Sequence, residues 1–355
     1  MTTIPKEVFE KIIQAGALAP SGENCQPWKF LVRNNQIFVF NLPERDLSVY
    51  NYKQRGALVA HGALIENMVT AASAMGYLAR IDLLPDKNDS NCVSTITLNR
   101  GEPERDTLYP FIHSRTTNRK PYKTRPLTSQ HKKELENTQE EVSGGKVILV
   151  DVPEQIELLA NASSINERVM FENPQLYNFF YSHITWTKEE DEKKKIGFYV
   201  KTLEMPFPAQ KGLRFFSSWK LLNLINKVGF SKAVANQNAK NYASCAAMGI
   251  VWVPSNTDRD FIISGRIMER IWLKVTKMGL SLQPLTGVLF LMQRIFDGET
   301  SNFLPYQVAL IQKAYADIGS SFGVKKGTIA MMFRIGDGGS PTARASRLAP
   351  EVRFE

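Results

Sequence analysis

Arg115, Thr117 and Arg119 stand at alternate positions in the segment HSRTTNRKPY. In an extended backbone alternate side chains project to one side, so two forked guanidinium donors and a small hydroxyl would converge there on an anion such as a phosphate. The same pattern suits a solvated basic loop, and spacing alone leaves both readings open. A second segment, APSGENCQPWKF from Ala19 to Phe30, combines turn-forming residues with a tryptophan. Its Pro20, Ser21, Gly22 and Asn24 offer exposed amides and short polar groups suited to the edge of a planar polar ring, while Gln26, Pro27 and Trp28 anchor the loop. The C-terminal stretch FRIGDGGSPTARASRLAPEVRF is glycine-rich and carries Arg344, Arg347 and Arg353. Beside a second arginine cluster, one of these would complete a phosphate site.

Other chemistries lack their residues. There is no GxxxxGK[ST], HExxH, CxxC or EF-hand pattern, and the GDGG at 336 is not a dinucleotide fingerprint. His61, His113, His131 and His183 show no ligand spacing, and Cys25, Cys92 and Cys245 are too dispersed for a thiolate site or a disulfide framework. No metal is expected, and Cys25 is read as a packed thiol. The SSWK at 217–220 contains Ser-x-x-Lys without the companion motifs of that chemistry. No catalytic side chain is therefore assigned.

The elements that must position these residues can be read from periodicity. A helix is expected over Ile4 to Leu18, capped by Thr3, and a hairpin over Lys29 to Leu42 around Asn34 and Asn35. A helix follows at 55–76, then strands LARIDLL and CVSTITL, then the charged stretch EPERDTLYPFIHSRTTNRKPY as helix running into loop. KVILVDV reads as a strand and PEQIELLANASSINERVMF as a helix. Residues 172–242 read as a lid-like insertion with helical pieces. A strand near 245, helices at 257–279 and 304–318, and the strand GTIAMMFRIG complete the chain. Interleaved helices and strands give a mixed α and β class, with strand directions left open.

Two of these helices match each other. GALIENMVTAASAMG (Gly62 to Gly76) and GRIMERIWLKVTKMG (Gly265 to Gly279) have the same length, with Gly aligned at both ends, Glu66 on Glu269 and Met75 on Met278. The reading is an internal duplication whose halves pack as a pseudo-symmetric pair, like a homodimer fused in one chain.

With 355 residues and 43% hydrophobic residues the chain can bury one large or two ordinary cores, which excludes global disorder. Its net charge of +9 favours anionic ligands. Nucleic acid is not expected, because no stacking or recognition-helix motif accompanies that charge. With no apolar run of about 18 residues, no membrane partner is expected either, and the protein is read as cytoplasmic.

Together these segments resemble the FMN-dependent nitroreductase family, and the duplication resembles its long, two-half, Acg-like branch. The residues that carry the resemblance are Arg115-Thr116-Thr117-Asn118-Arg119, Ala19 to Trp28, the Gly265 to Leu280 helix and turn, and Phe333 to Arg347. They cover both ends and the centre of the chain and leave 172–242 unaccounted for. The order departs from that of a single-domain member, since the APS loop precedes the arginine segment. A fused pair in which each half keeps its contribution to one site accounts for the inversion.

The resemblance implies an α+β, nitroreductase-like fold of two pseudo-symmetric halves, each with a mostly antiparallel sheet flanked by helices. The halves would be 1–110, with the APS loop, and 111–355, with the arginine segment and the 172–242 lid. One FMN per chain is implied. Arg115 and Thr117 would hold its phosphate and ribityl end with Arg344 or Arg347, and Arg119 would sit near the N1 and C2 carbonyl edge. Pro20, Ser21, Gly22 and Asn24 would contact the ring from the other half, and the backbone at Pro284, Leu285 and Thr286 would approach the N5 edge. The implied activity is hydride transfer from NADH or NADPH through FMN to an electron-poor nitroaromatic or quinone-like acceptor, by a monomer with an internal pseudo-dimer. The alternative is a lidded protein that stores flavin without reductase activity.

Overall fold

The structure is a computed structural model in which residues 4–101 and 104–355 are described. Helix α1 (Lys6–Gly16) buries Phe9, Ile12 and Ile13 along one stripe. Strands β1 (Trp28–Arg33) and β2 (Gln36–Asn41) form the expected hairpin, and Asn34 and Asn35 turn it with φ of 47° and 60°. Paired left-handed residues suit the strand twist, and asparagine tolerates that conformation. Helix α2 (Arg55–Ala74) and strands β3 (Tyr77–Leu83) and β4 (Cys92–Arg100) complete the first sheet region.

The charged stretch that follows is not helical as expected. Among its described residues it makes one 3-10 turn at Tyr109–Phe111, with Pro110 in the middle and the Asp106 carboxylate accepting from the Leu108 amide at 2.9 Å. A local side-chain acceptor and a proline both compete with helix propagation. Glu102 and Pro103 of that stretch, and Thr3, expected as the α1 cap, lie outside the described residues.

Helices α3 (Ser129–Glu136) and α4 (Thr138–Glu141) lead to strand β5 (Lys146–Val150) and helix α5 (Pro153–Glu172). The 172–242 region contains α6 (Pro174–Ser182), β6 (Ile184–Thr185), α7 (Lys188–Lys194), β7 (Phe198–Tyr199), α8 (Phe207–Phe215), α9 (Trp219–Asn226) and α10 (Phe230–Ala243). After it come β8 (Ala247–Val253), α11 (Asp258–Lys277), β9 (Ser281–Pro284), α12 (Gly287–Phe296), α13 (Pro305–Ser321), β10 (Thr328–Gly336) and β11 (Val352–Phe354).

Two main sheets result, ordered β11-β1-β2-β4-β3 and β5-β8-β10-β9, beside a two-stranded parallel pair of β6 and β7. All pairings within the main sheets are antiparallel except β11 with β1, where Phe30 faces Val352. The α+β class with two mostly antiparallel sheets and flanking helices thus holds. The last described strand, β11, thus sits at the edge of the sheet that holds β1 to β4.

The matched helices α2 and α11 cross at their aligned glycines. A Cβ on Gly62 would lie 2.0 Å from the Ile262 carbonyl oxygen, and one on Gly265 the same distance from that of Val59. Only hydrogen fits on either side of that contact. Both helices also end alike, at Gly76 (φ 81°) and Gly279 (φ 70°). An alanine at either cap must adopt a left-handed conformation at a cost of about 1 kcal/mol. Urea denaturation of Gly76→Ala and Gly279→Ala is expected to show similar losses, and no loss in either would contradict the cap assignment.

Candidate functional site

A cavity of about 450 Å³ lies where the crossing helices, the Ala19–Trp28 loop and the 172–242 cover meet. Pro20, Ser21 and Gly22 form one wall, Thr117 and Arg119 with Pro284, Leu285 and Thr286 another. The floor is apolar, from Val59, Ala60 and Ala63 of α2 and Met268 and Trp272 of α11.

The loop's conformation is tightly constrained. Glu23, Asn24 and Gln26 all have positive φ, at 44°, 55° and 50°. Strain of this kind persists only where surrounding contacts impose it, and buried Gln26 supplies them. Its amide accepts from Leu348 N (2.9 Å) and donates to Lys195 O (2.7 Å), while Arg45 holds its carbonyl (2.9 Å). Loop, C-terminal tail and cover are thereby joined at one side chain.

Extended backbone carries Thr117 and Arg119 to the cavity. Thr117 bridges to Leu282, and the intervening Asn118 points away, donating to Gly339 O at 2.8 Å. Arg119 donates to Thr202 O at 2.9 Å and lies 5.6 Å from the Phe198 ring. The alternation fails at Arg115, whose amide closes a turn onto Phe111 O at 2.9 Å. Its side chain runs beneath α11 instead. There it is 3.0 Å from Glu269 and 4.6 Å from the Trp272 ring, and it donates to Leu18 O at 2.7 Å.

Arg115, Asn24, Arg344 and Arg347 therefore do not line the cavity. Asn24 donates to Ser346 O (2.9 Å), Arg347 to Ala19 O (2.7 Å), and Arg344 to the carbonyls of His113 and Ser114. Arg115 and Arg347 nevertheless lie near the Glu269 carboxylate, and Arg344 lies near both of those guanidinium groups. Arg347 is pushed down to about 9 by burial and by the neighbouring Arg115 and Arg344 cations. Arg115 Nε and both Glu269 oxygens lack a directed hydrogen bond, because the close charge contact is poorly aligned.

Several lining residues escaped the sequence reading. Ser163, Asn166, Glu167 and Met170 on α5, and Asn238, Asn241 and Tyr242 on α10, reach the wall. Both sets have i, i+3, i+4 spacing, a signal present in the sequence because such positions share one helix face. Tyr242 and Asn166 each donate to Glu167 Oε1 at 3.0 Å. Oε2 of Glu167 and Oδ1 of Asn241 are buried without partners among the described residues. Across the loop, burial first and then neighbouring Asp46 raise Glu23 to about 8.

Burial likewise pushes Glu167 from 4.5 up to about 7. The folded protein keeps a proton that the unfolded chain releases above its ordinary value, so the carboxyl penalises folding increasingly as pH rises through that window, up to about 7. Glu167→Gln abolishes the penalty. Its melting temperature relative to the parent is expected to climb from about pH 5 to about pH 8; a difference independent of pH would refute the assignment.

A profile described as "Nitroreductase family" matches residues 1–39, which span α1, the strained loop and the hairpin. "Uncharacterized protein MT1398" of Mycobacterium tuberculosis is 26% identical over 80% of this chain and 39% of its own length. "Putative NAD(P)H nitroreductase acg" of the same species is 28% identical over 25% of this chain and 27% of its own. The chain thus spans well under half the length of these curated relatives. Among solved structures, the FMN-dependent nitroreductase NfnB of Mycobacterium smegmatis in complex with NADPH is 11% identical with a TM-score of 0.33, over 64% of this chain and 86% of that one. A Bacteroides fragilis nitroreductase with bound FMN is 10% identical with a TM-score of 0.35, over 68% and 94%. The opening 39 residues of the chain are thus similar to the nitroreductase family, and four-fifths of the chain is similar to a mycobacterial relative at 26% identity.

Proposed function

We propose that the cavity binds FMN and that the protein is a flavin-dependent oxidoreductase, taking hydride from NADH or NADPH and passing it to an electron-poor acceptor such as a nitroaromatic or quinone. One observation carries this reading: Pro20 to Gly22 from the first half and Thr117, Arg119 and Pro284 to Thr286 from the second face a single cavity. The division into halves at 1–110 and 111–355, acting as an internal pseudo-dimer in a monomer, is part of the proposal. The names of relatives and neighbours, which include NAD(P)H and FMN, support it.

The residues present fit the group. An apolar floor suits a planar ring, and the volume lies within the range of about 300–1,000 Å³ usual for small-molecule sites. The unpartnered Asn241 Oδ1 at the wall is an acceptor awaiting a donor. When bound, FMN supplies the two-electron chemistry, so no nucleophilic side chain is needed.

The chain's own residues bind and orient. Arg119, held by Thr202 O, places a fixed cation at the wall, where it would stabilise negative charge on the ring. Thr117 offers a hydroxyl beside it. Arg115, Arg344 and Arg347 lie off the cavity wall, and their charge in excess of Glu269 would favour the anionic end of the cofactor on their side, while Asn24 braces the loop through Ser346 O. Backbone at Pro284, Leu285 and Thr286 lines the cavity where it would hold the edge of the ring.

Reconstitution with FMN followed by anaerobic titration with NADPH and then NADH tests the reading. A bound flavin band bleached by either donor is the expected result, and Arg119→Ala is expected to weaken FMN binding at least about tenfold. Failure of the parent chain to take up FMN would overturn it. The cover favours one second reading, flavin storage, because Phe180, Phe198 and Leu213 from 172–242 reach the wall. A flavin band that persists with both donors and bleaches only with dithionite would select it.

A further inference from the structure

The outer face of the cavity's cover combines exposed apolar side chains with unopposed positive charge. Phe207 (66% exposed) and Phe215 (70%) flank Lys211 at four-residue spacing on α8. Leu224 (60%) and Val228 (87%) continue the row begun by Lys220 on α9 and the turn after it. Four-residue spacing puts the α8 trio on one helix face and Lys220 with Leu224 on one face of α9, with Val228 in the turn beyond it. The opposite faces are the buried ones, through Leu213 and Leu222. Lys211 Nζ lies 4.7 Å from the Phe207 ring, so charge and aromatic surface are presented together.

Charge composition indicates what such a face would meet. Between Met205 and Thr257 the chain carries six basic residues, Lys211, Arg214, Lys220, Lys227, Lys232 and Lys240, and no acidic one. A second copy of the same face would bring like charges together. A nucleic acid could stack only on Phe207 and Phe215, while the exposed Leu224 and Val228 would give base faces nothing to stack on. An anionic bilayer surface complements both properties. Its headgroups attract clustered lysines, and its acyl boundary accepts aromatic and aliphatic side chains that water disfavours.

We propose that the α8–α9 face is a peripheral docking surface for anionic lipid membranes. No described helix is long and apolar enough to cross a bilayer, and an interfacial contact requires none. The absence of a long apolar run, which led the sequence reading to expect no membrane partner, excludes only a spanning helix of the usual length. This docking is independent of whether the cavity takes a flavin.

Co-sedimentation of the full chain with vesicles of phosphatidylcholine, with and without about one quarter phosphatidylglycerol, tests it. Binding is expected only with the anionic lipid, weakening as salt is raised. Phe207→Ser with Phe215→Ser, and separately Lys211→Glu with Lys220→Glu, should each lower the partition coefficient at least about tenfold. All four side chains are exposed, and circular dichroism confirms that each variant is folded. Absence of parent binding at excess anionic lipid would overturn the proposal, as would binding by both double variants as tight as the parent's. A parent that instead dimerises in sedimentation equilibrium, with dimerisation lost in Phe207→Ser/Phe215→Ser and no vesicle binding, would reassign the face to self-association.

Discussion

Gly265→Ala is expected to destabilise the protein by about 3–5 kcal/mol, the upper end for overpacking, because the added methyl would lie 2.0 Å from the Val59 carbonyl oxygen. Backbone cannot rotate away as a flexible side chain can, so α2 and α11 must separate or tilt. Both helices contribute to the same core, which joins the two sheets, and both line the cavity floor. Separation would therefore lose packing and reshape the site together. Equilibrium urea unfolding measures the loss, and Gly62→Ala should match it, since its methyl would meet the Ile262 carbonyl oxygen at the same distance. A loss below about 1 kcal/mol in both would show that the crossing is looser than described.

Arg115→Ala is the second large effect. Glu269 is fully buried, and Arg115 is its ion-pair partner. Removing Arg115 takes away the direct partner of a buried carboxylate and leaves only Arg347, outside ion-pair distance, to compensate it, at about 3–5 kcal/mol. The Trp272 ring would also lose its cationic neighbour and Leu18 O its donor. Arg115→Ala combined with Glu269→Ala should be less destabilised than Arg115→Ala alone, because no orphan carboxylate remains. If instead the losses simply add, the ion pair is not what holds this region. In the flavin reading Arg115→Ala should also cost FMN retention, and the double variant should not restore it; undiminished occupancy in either would remove Arg115 from the anion site.

Much of the architecture was legible because its determinants are local. Asn34-Asn35 between alternating apolar runs defined a hairpin, and apolar periodicity defined α1, α2, α5, α11 and α13. The matched Gly62 and Gly265 were found as an alignment of letters. That they touch one another follows from the crossing of α2 and α11, which no local pattern encodes. The charged stretch after β4 misled for a complementary reason: its helical composition was overridden by Pro110 and by the Asp106 turn.

The candidate site divides in the same way. The sequence by itself determined the residue types: a turn-rich loop, an Arg-x-Thr-x-Arg segment, an arginine-bearing tail, and two matched helices ended by glycine. Tertiary structure alone decided which of them share a cavity. Thr117 and Arg119 reach it because their backbone is extended along β9, whereas Arg115 closes a turn and is drawn beneath α11 by Glu269 and Trp272. It also recruited Glu167, Asn241 and Tyr242 from the cover, a wall assembled by helices distant in sequence from the loop they face. Spacing fixes the side of an element on which a side chain lies; long-range burial and charge pairing fix what that side meets.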